Sequence, residues 1–280
     1  MSPRLSVAAL LLPCALAASG CKSFGGLGSS SDEPDVAYGA DADANMKLGE
    51  EAMESENYPE AARYFEYVRT KYPFLEAAKT AELRLADADF ARDRFVEARD
   101  RYQNFVRLHP THPRVDYAAY RAALTHYKDI PSDLFILPPA SEKDQQEVRS
   151  ALNAMRDFVR GYPDSKHVPD AEKALAQVKM RLADHELYVA DFYRRRGRWR
   201  AVAGRLATVA KSYAGTDYDE RVYFGLYEAY RKLDDEPRAR EALQAYLALH
   251  PNDRGARRAK ALLDAQPGAP VPEAATDATP

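Results

Sequence analysis

The sequence predicts an all-α solenoid of five helix-turn-helix repeats closed by a C-terminal capping helix. Three observations predict it. First, one register of small and large apolar residues recurs before five anchors, Pro73, Pro110, Pro163, Ala214 and Pro251. Tyr58, Ala61, Phe65 and Val68 precede the first anchor, and Phe95, Ala98, Tyr102 and Phe105 the second. Ala151, Met155 and Phe158 precede the third, Trp199, Val202, Leu206 and Val209 the fourth, and Ala239, Leu243 and Tyr246 the fifth. Such a recurrence marks a repeat architecture. Second, spacings of three, four and seven place these residues on one helical face. The anchor proline then ends the helix, because it has no N–H to donate and restrains the residue before it. Third, a further apolar run lies upstream, with Leu48–Gly49, Leu85–Ala86, Val189–Ala190 and Leu226–Tyr227 at one distance from their anchors. Each unit is therefore a helix, a short turn and a second helix. One pair cannot bury its own apolar face, so neighbours must stack.

The Leu-Gly, Tyr, Ala, Phe and Pro positions resemble the tetratricopeptide repeat family, closely in the first, second and last copies and more loosely in the other two. Anchor intervals of 37, 53, 51 and 37 residues make the middle irregular against a usual period of roughly 34. The 40 basic and 43 acidic residues leave a net charge of −3, which argues against a dedicated nucleic-acid binder. Both cysteines, Cys14 and Cys21, lie in the first segment, so the repeats hold no disulfide or thiolate metal site.

From the start of the chain, Arg4 and the apolar run Leu5–Ala17 read as a signal peptide over residues 1–20, the run being too short to span a membrane. Ala18-Ser19-Gly20-Cys21 resembles a bacterial lipobox, with Ala18 standing where Leu is commonest. That resemblance implies cleavage before Cys21 and a covalent lipid on it, with no other cofactor. Several acyl chains on one residue anchor a protein stably. Lys22 replaces the aspartate of an inner-membrane retention signal, which points to the outer membrane. Residues 21–44, rich in Gly, Ser, Asp and Ala, read as a flexible tether.

Repeats 1–3 occupy residues 45–163. Between the second and third, His109–Pro113 (HPTHP) carries two histidines three apart, but its prolines force a turn and only Asp116 stands near. It reads as an interhelical turn and not a metal site. After the helix Val115–Tyr127, residues 129–145 form an inserted loop with Phe135 and Ile136. These two either tuck against the solenoid or offer a contact to a partner. Repeats 4 and 5 and the cap occupy residues 164–266. Pro169 opens a helix to about Arg196 that ties the two halves together. Arg194–Arg200 (RRRGRWR) is either a solvated helix end, with Trp199 packed as Tyr58 is, or a basic face that docks an acidic partner domain or lipid headgroups. Residues 267–280 form a disordered Pro/Ala/Thr-rich tail.

RGYPDS, RLADHELYVADFYRRRGRW and AVAGR within Arg160–Arg205, with LHPTHPRVDYAAY and RTKYPF, resemble the BamD family of the outer-membrane β-barrel assembly machinery. The resemblance implies a non-catalytic, lipid-anchored scaffold on the periplasmic face of the outer membrane. It implies docking of a BamA-like barrel protein through its POTRA domains on the C-terminal repeats, with Arg205 as the coupling residue and Arg198 and Trp199 beside it. It also implies that the N-terminal repeats receive unfolded outer-membrane protein clients, and that other Bam lipoproteins are companions. RRRGRWR is more basic than the family pattern, and the tail is an extension of it. From the residues themselves, first helices line the inner face, so Met53, Leu83, Asp87 and Phe90, with Phe74 at a turn, form the expected client groove. Aromatic and flexible apolar groups there suit clients that vary in sequence. No Ser/His/Asp arrangement, metal cluster or phosphate-cradling glycine loop stands out. The alternative function is a periplasmic repeat lipoprotein that serves as an adaptor for cell-wall enzymes or the Tol system.

Overall fold

The computed structural model describes residues 36–130 and 145–265. Among them lie eleven helices and no strand. Repeat 1 is α1 (Ala42–Glu54) and α2 (Tyr58–Lys71); repeat 2 is α3 (Glu76–Ala91) and α4 (Phe95–Leu108). Repeat 3 is α5 (Val115–Lys128) and α6 (Gln146–Gly161); repeat 4 is α7 (Val168–Arg194) and α8 (Trp199–Ser212). Repeat 5 is α9 (Asp219–Arg231) and α10 (Glu236–Leu249), and α11 (Arg254–Asp264) caps the stack. The expected signal peptide with Cys14, the expected lipidation residue Cys21, the loop residues Phe135 and Ile136, and the tail lie outside the described residues.

The anchor register has a single structural meaning. Tyr72, His109, Tyr162, Tyr213 and His250 each cap the C-terminus of a second helix, with φ between −126° and −135°. The turn inside the repeat also recurs. Glu56, Asp93, Gly197 and Asp234 all take a left-handed conformation, with φ of 57° to 65°. The next N–H, from Asn57, Arg94, Arg198 or Asp235, reaches the carbonyl five residues back at 2.8–3.0 Å. This is a Schellman closure of the first helix that launches the second directly. Only the fourth repeat uses glycine there; the other three accept the left-handed strain on Glu or Asp.

Each helix packs on its neighbours in sequence, and α1 also touches α3, as α5 touches α7. In these two pairs the first helices of adjacent repeats approach one another, and a side-chain bond from Tyr117 of α5 to Asp87 links α3 to α5, so first helices share one side of the stack, its inner side. The buried apolar residues divide into successive clusters. One joins repeats 1 and 2 around Phe65, and the next joins repeats 2 and 3 around Tyr102 and Phe105. A third joins repeats 3 and 4 around Met155 and Phe158, and the largest runs from α6 to Leu262 of the cap. This is the quasi-one-dimensional core of a solenoid. Gly49 is required in it, because a Cβ there would stand 2.5 Å from the Phe65 ring.

The folded region starts earlier than the expected boundary at residue 45. Asp41 caps α1 by accepting from Ala44 N–H at 2.8 Å. Asn45, fully buried, accepts from Gly39 N–H at 2.9 Å and donates to the Gly39 carbonyl at 3.1 Å. Tyr38 stacks on Tyr67 of α2, with centroids 4.1 Å apart. Residues 38–44 therefore belong to repeat 1 and not to a tether, because the Asn45 amide needs that backbone to satisfy its buried polar atoms.

Candidate functional site

The inner face of repeats 1–3 carries a continuous polar network. Asp87 of α3 is only 3% exposed. It accepts from Tyr102 Oη of α4 at 2.5 Å, from Tyr117 Oη of α5 at 2.8 Å and from Arg84 Nη1 at 2.9 Å. Arg84 also forks onto Glu50 of α1, with Nε at 2.7 Å from Oε1. Arg121 of α5 donates from Nε to Tyr102 Oη at 3.2 Å and lays its guanidinium over the Phe90 ring, 3.8 Å from its centroid. Burial and the Asp87 carboxylate push the Tyr102 hydroxyl well above its usual pKa and Tyr117 up to about 12, so both stay protonated donors. Burial works against the charges of Arg84 and Arg121. Glu50 and Asp87 around Arg84, and Tyr102, Tyr117 and the Asp87 carboxylate around Arg121, outweigh it and hold both more firmly cationic.

This geometry corrects the expected client groove. Leu83 has no exposed surface and lies in the core cluster with Tyr102 and Phe105. It packs repeats 2 and 3 together and offers nothing to a client. Asp87 is equally enclosed, its oxygens taken by two hydroxyls and a guanidinium. Met53 and Phe90 remain half-buried, in the clusters of repeats 1 and 2 respectively. Phe74 stands apart at the α2–α3 turn, 99% exposed. The five residues do not share one lining. Arg84 and Arg121 went unnoticed in the sequence. The spacing of Arg84 and Asp87, one turn apart, carries a signal for the first. Arg121 has none, since its partners arrive only when repeats stack.

At the other end, Arg198 is the N-cap of α8 and Trp199 its first residue. With Gly197, Arg200, Ala201 and Leu233 they line a depression of about 620 Å³. Arg205 lies elsewhere on α8. Six residues along the helix put it about 120° around from Trp199. Its Nη1 lies 3.1 Å from Oε2 of Glu186 on α7, a carboxylate only 6% exposed. The structure thus brings Arg198 and Trp199 together but gives Arg205 a separate, partly structural position. In the HPTHP turn, His109 caps α4 and its Nε2 lies 2.8 Å from Glu82. The His109 and His112 rings pack on Phe105 at 5.0 Å. They are turn residues whose ring faces the core uses.

Residues 40–246 match the YfiO family model, described as outer membrane lipoprotein. The chain belongs to this family. Its relatives include the outer membrane protein assembly factor BamD of Neisseria gonorrhoeae, 32% identical over 187 residues, or 66% of this chain and 70% of the relative. The same factor of Vibrio cholerae is 28% identical over 206 residues, covering 72% and 85%. Among solved structures the chain is similar to the TPR2AB-domain:pHSP90-complex of yeast Sti1, at 15% identity, 79% and 82% coverage and a TM-score of 0.39. The YfiO match runs from just before α1 into the last helix of repeat 5. It therefore contains both the inner-face network and the Arg-rich turn. No helix among the described residues is long and apolar enough to cross a membrane.

Proposed function

We propose that the chain is a non-catalytic scaffold of the outer-membrane protein assembly (Bam) machinery, held by acyl chains on Cys21 at the inner leaflet and facing the periplasm. The observation that carries this reading is the family match across residues 40–246, together with relatives that are named assembly factors. A solenoid suits the role because its stacked helices expose two long faces to different partners. The C-terminal repeats dock a BamA-like barrel protein through its POTRA domains, on the α8 face that carries Arg205. The inner side of repeats 1–3 receives unfolded outer-membrane protein clients. There Met53 and Phe90, backed by Arg121, supply apolar and cationic contacts, and Phe74 adds an exposed ring at the edge. Other Bam lipoproteins bind the remaining surface.

The test is a pull-down from detergent-solubilised outer membranes with the full-length acylated protein. Recovery of a large barrel protein bearing POTRA domains supports the reading, and Arg205→Ala is expected to weaken it. That substitution also leaves the Glu186 carboxylate buried without its cation, which destabilises the fold. The double variant Arg205→Ala/Glu186→Gln removes the stranded charge. If it restores thermal stability but not recovery, Arg205 acts in docking. Recovery of cell-wall enzymes or Tol components in place of the barrel protein refutes the assembly reading.

A further inference from the structure

The Arg-rich turn between α7 and α8 has more positive charge than the fold uses. Arg194 is held by Asp191 at 2.8 Å and lies 3.6 Å from Glu228. Arg205 is paired with Glu186. Between them, Arg195, Arg198 and Arg200 are exposed and make no ion pair among the described residues. Lys232 of the next repeat adds a cation, its Nζ 6.0 Å from the centroid of the Trp199 ring. Two acids of that neighbouring turn are already engaged, Asp235 by Arg238 and Glu236 by Arg231 at 3.2 Å, which leaves the exposed Asp234 as the one carboxylate there against the four cations. The cations surround an apolar notch. Trp199 is half-buried against the core and shares the depression with Ala201 and Leu233.

A guanidinium cluster around an indole and a leucine suits a ligand with an anionic head beside apolar carbon. Guanidinium groups bind phosphate oxygens through paired N–H donors, and Trp favours the boundary between water and acyl chain. The chain belongs to a family of outer membrane lipoproteins, so a phospholipid surface is always within its reach. We infer that this turn is a second membrane contact that binds the headgroups of anionic phospholipid, with Arg195, Arg198 and Arg200 on the phosphates and Trp199 at the interface. Together with an acyl anchor on Cys21, it would give the protein a second point of attachment to the bilayer. The inference does not depend on the assembly role, since the Arg205 position proposed for docking lies on another side of α8.

The chain contains a single tryptophan, so Trp199 is its own reporter. The experiment uses the protein without residues 1–21, so that neither the apolar leader nor an acyl chain contributes. It is titrated with vesicles of phosphatidylcholine alone or with added phosphatidylglycerol. Anionic vesicles should shift Trp199 emission to the blue, and brominated acyl chains in them should quench it. Arg195→Gln/Arg198→Gln/Arg200→Gln should weaken this binding on the order of 100-fold, since each surface cation is worth about 1 kcal/mol against an anionic leaflet. Its far-UV spectrum and melting temperature should stay those of the parent. Four results would overturn the inference. They are no shift with anionic vesicles, an equal shift with phosphatidylcholine alone, full binding by the triple variant, and a shift produced only by solubilised outer-membrane protein. The last would assign the turn to a protein partner.

Discussion

Replacing Asp87 with alanine tests whether the inner face of repeats 1–3 is held by its polar network. Asp87 is 3% exposed and receives three hydrogen bonds from three helices, at 2.5, 2.8 and 2.9 Å. Its removal orphans the fully buried Tyr102 hydroxyl as a donor, at about 1–3 kcal/mol, and deletes a charge-assisted bond to Arg84 worth about 1.5–3 kcal/mol. Arg84 keeps Glu50, and the partly exposed Tyr117 hydroxyl can turn to water, so neither adds much. The two terms together span about 2.5–6 kcal/mol, and the usual cost of breaking a buried ionic pair on one side, about 3–5 kcal/mol, lies inside that range. At roughly 2–4 °C per kcal/mol for a chain of this size, melting should fall by roughly 6–20 °C. Because repeats couple mainly to their neighbours, the loss should be local. Amide exchange should accelerate in α1–α5 and stay unchanged in α9–α11. Asp87→Asn should fall between, since it keeps an acceptor for the hydroxyls but no charge for Arg84. A melting shift below about 2 °C for Asp87→Ala, or exchange that rises evenly along the chain, would refute the reasoning.

Gly49→Ala should cost about 1–3 kcal/mol of stability, because its Cβ meets the buried Phe65 ring at 2.5 Å. Gly204→Ala should instead stabilise by about 0.5–1 kcal/mol, since nothing lies within 4 Å of its Cβ on the exposed side of α8; denaturant titration reads both. Burial holds the imidazoles of His112, His126 and His167 below their ordinary pKa. The unfolded chain therefore binds more protons below about pH 6.5, so stability is greatest above that window and declines as pH falls through it. Melting scans between pH 7.5 and 5 should show this decline. His167→Phe, whose ring would keep the stack on Tyr120, should flatten it. Replacing residues 1–21 by a secretory leader that is cut without a lipobox should move the protein from the membrane fraction to the soluble periplasmic fraction on osmotic shock, unless the Arg-rich turn retains part of it on anionic lipid.

The repeat register was legible because it lies within single helices, where a 3.6-residue period and a terminal proline are visible in any window. It located all five second helices and the capping residue of each, from Tyr72 to His250. The left-handed turn was legible only at Gly197. Glu56, Asp93 and Asp234 adopt the same conformation without advertising it. The inner face failed for a different reason. Helix α3 lies between α2 and α4 and buries Leu83, Leu85, Ala86, Asp87, Ala88 and Asp89. An element enclosed on nearly every side has no apolar stripe from which a free face can be inferred. A carboxylate in such a run looks like a surface residue until its partners are known, and those of Asp87 come from 15 and 30 residues downstream. The same separation gives Asp87 its value. Apolar faces of Ala and Leu can slide past one another by a helical turn at modest cost. One carboxylate that must meet Tyr102, Tyr117 and Arg84 together admits a single alignment of α3, α4 and α5. The residue least readable in the sequence is therefore the one that sets how repeats 2 and 3 stack, and with it the position of Phe90 and Arg121 on the inner surface.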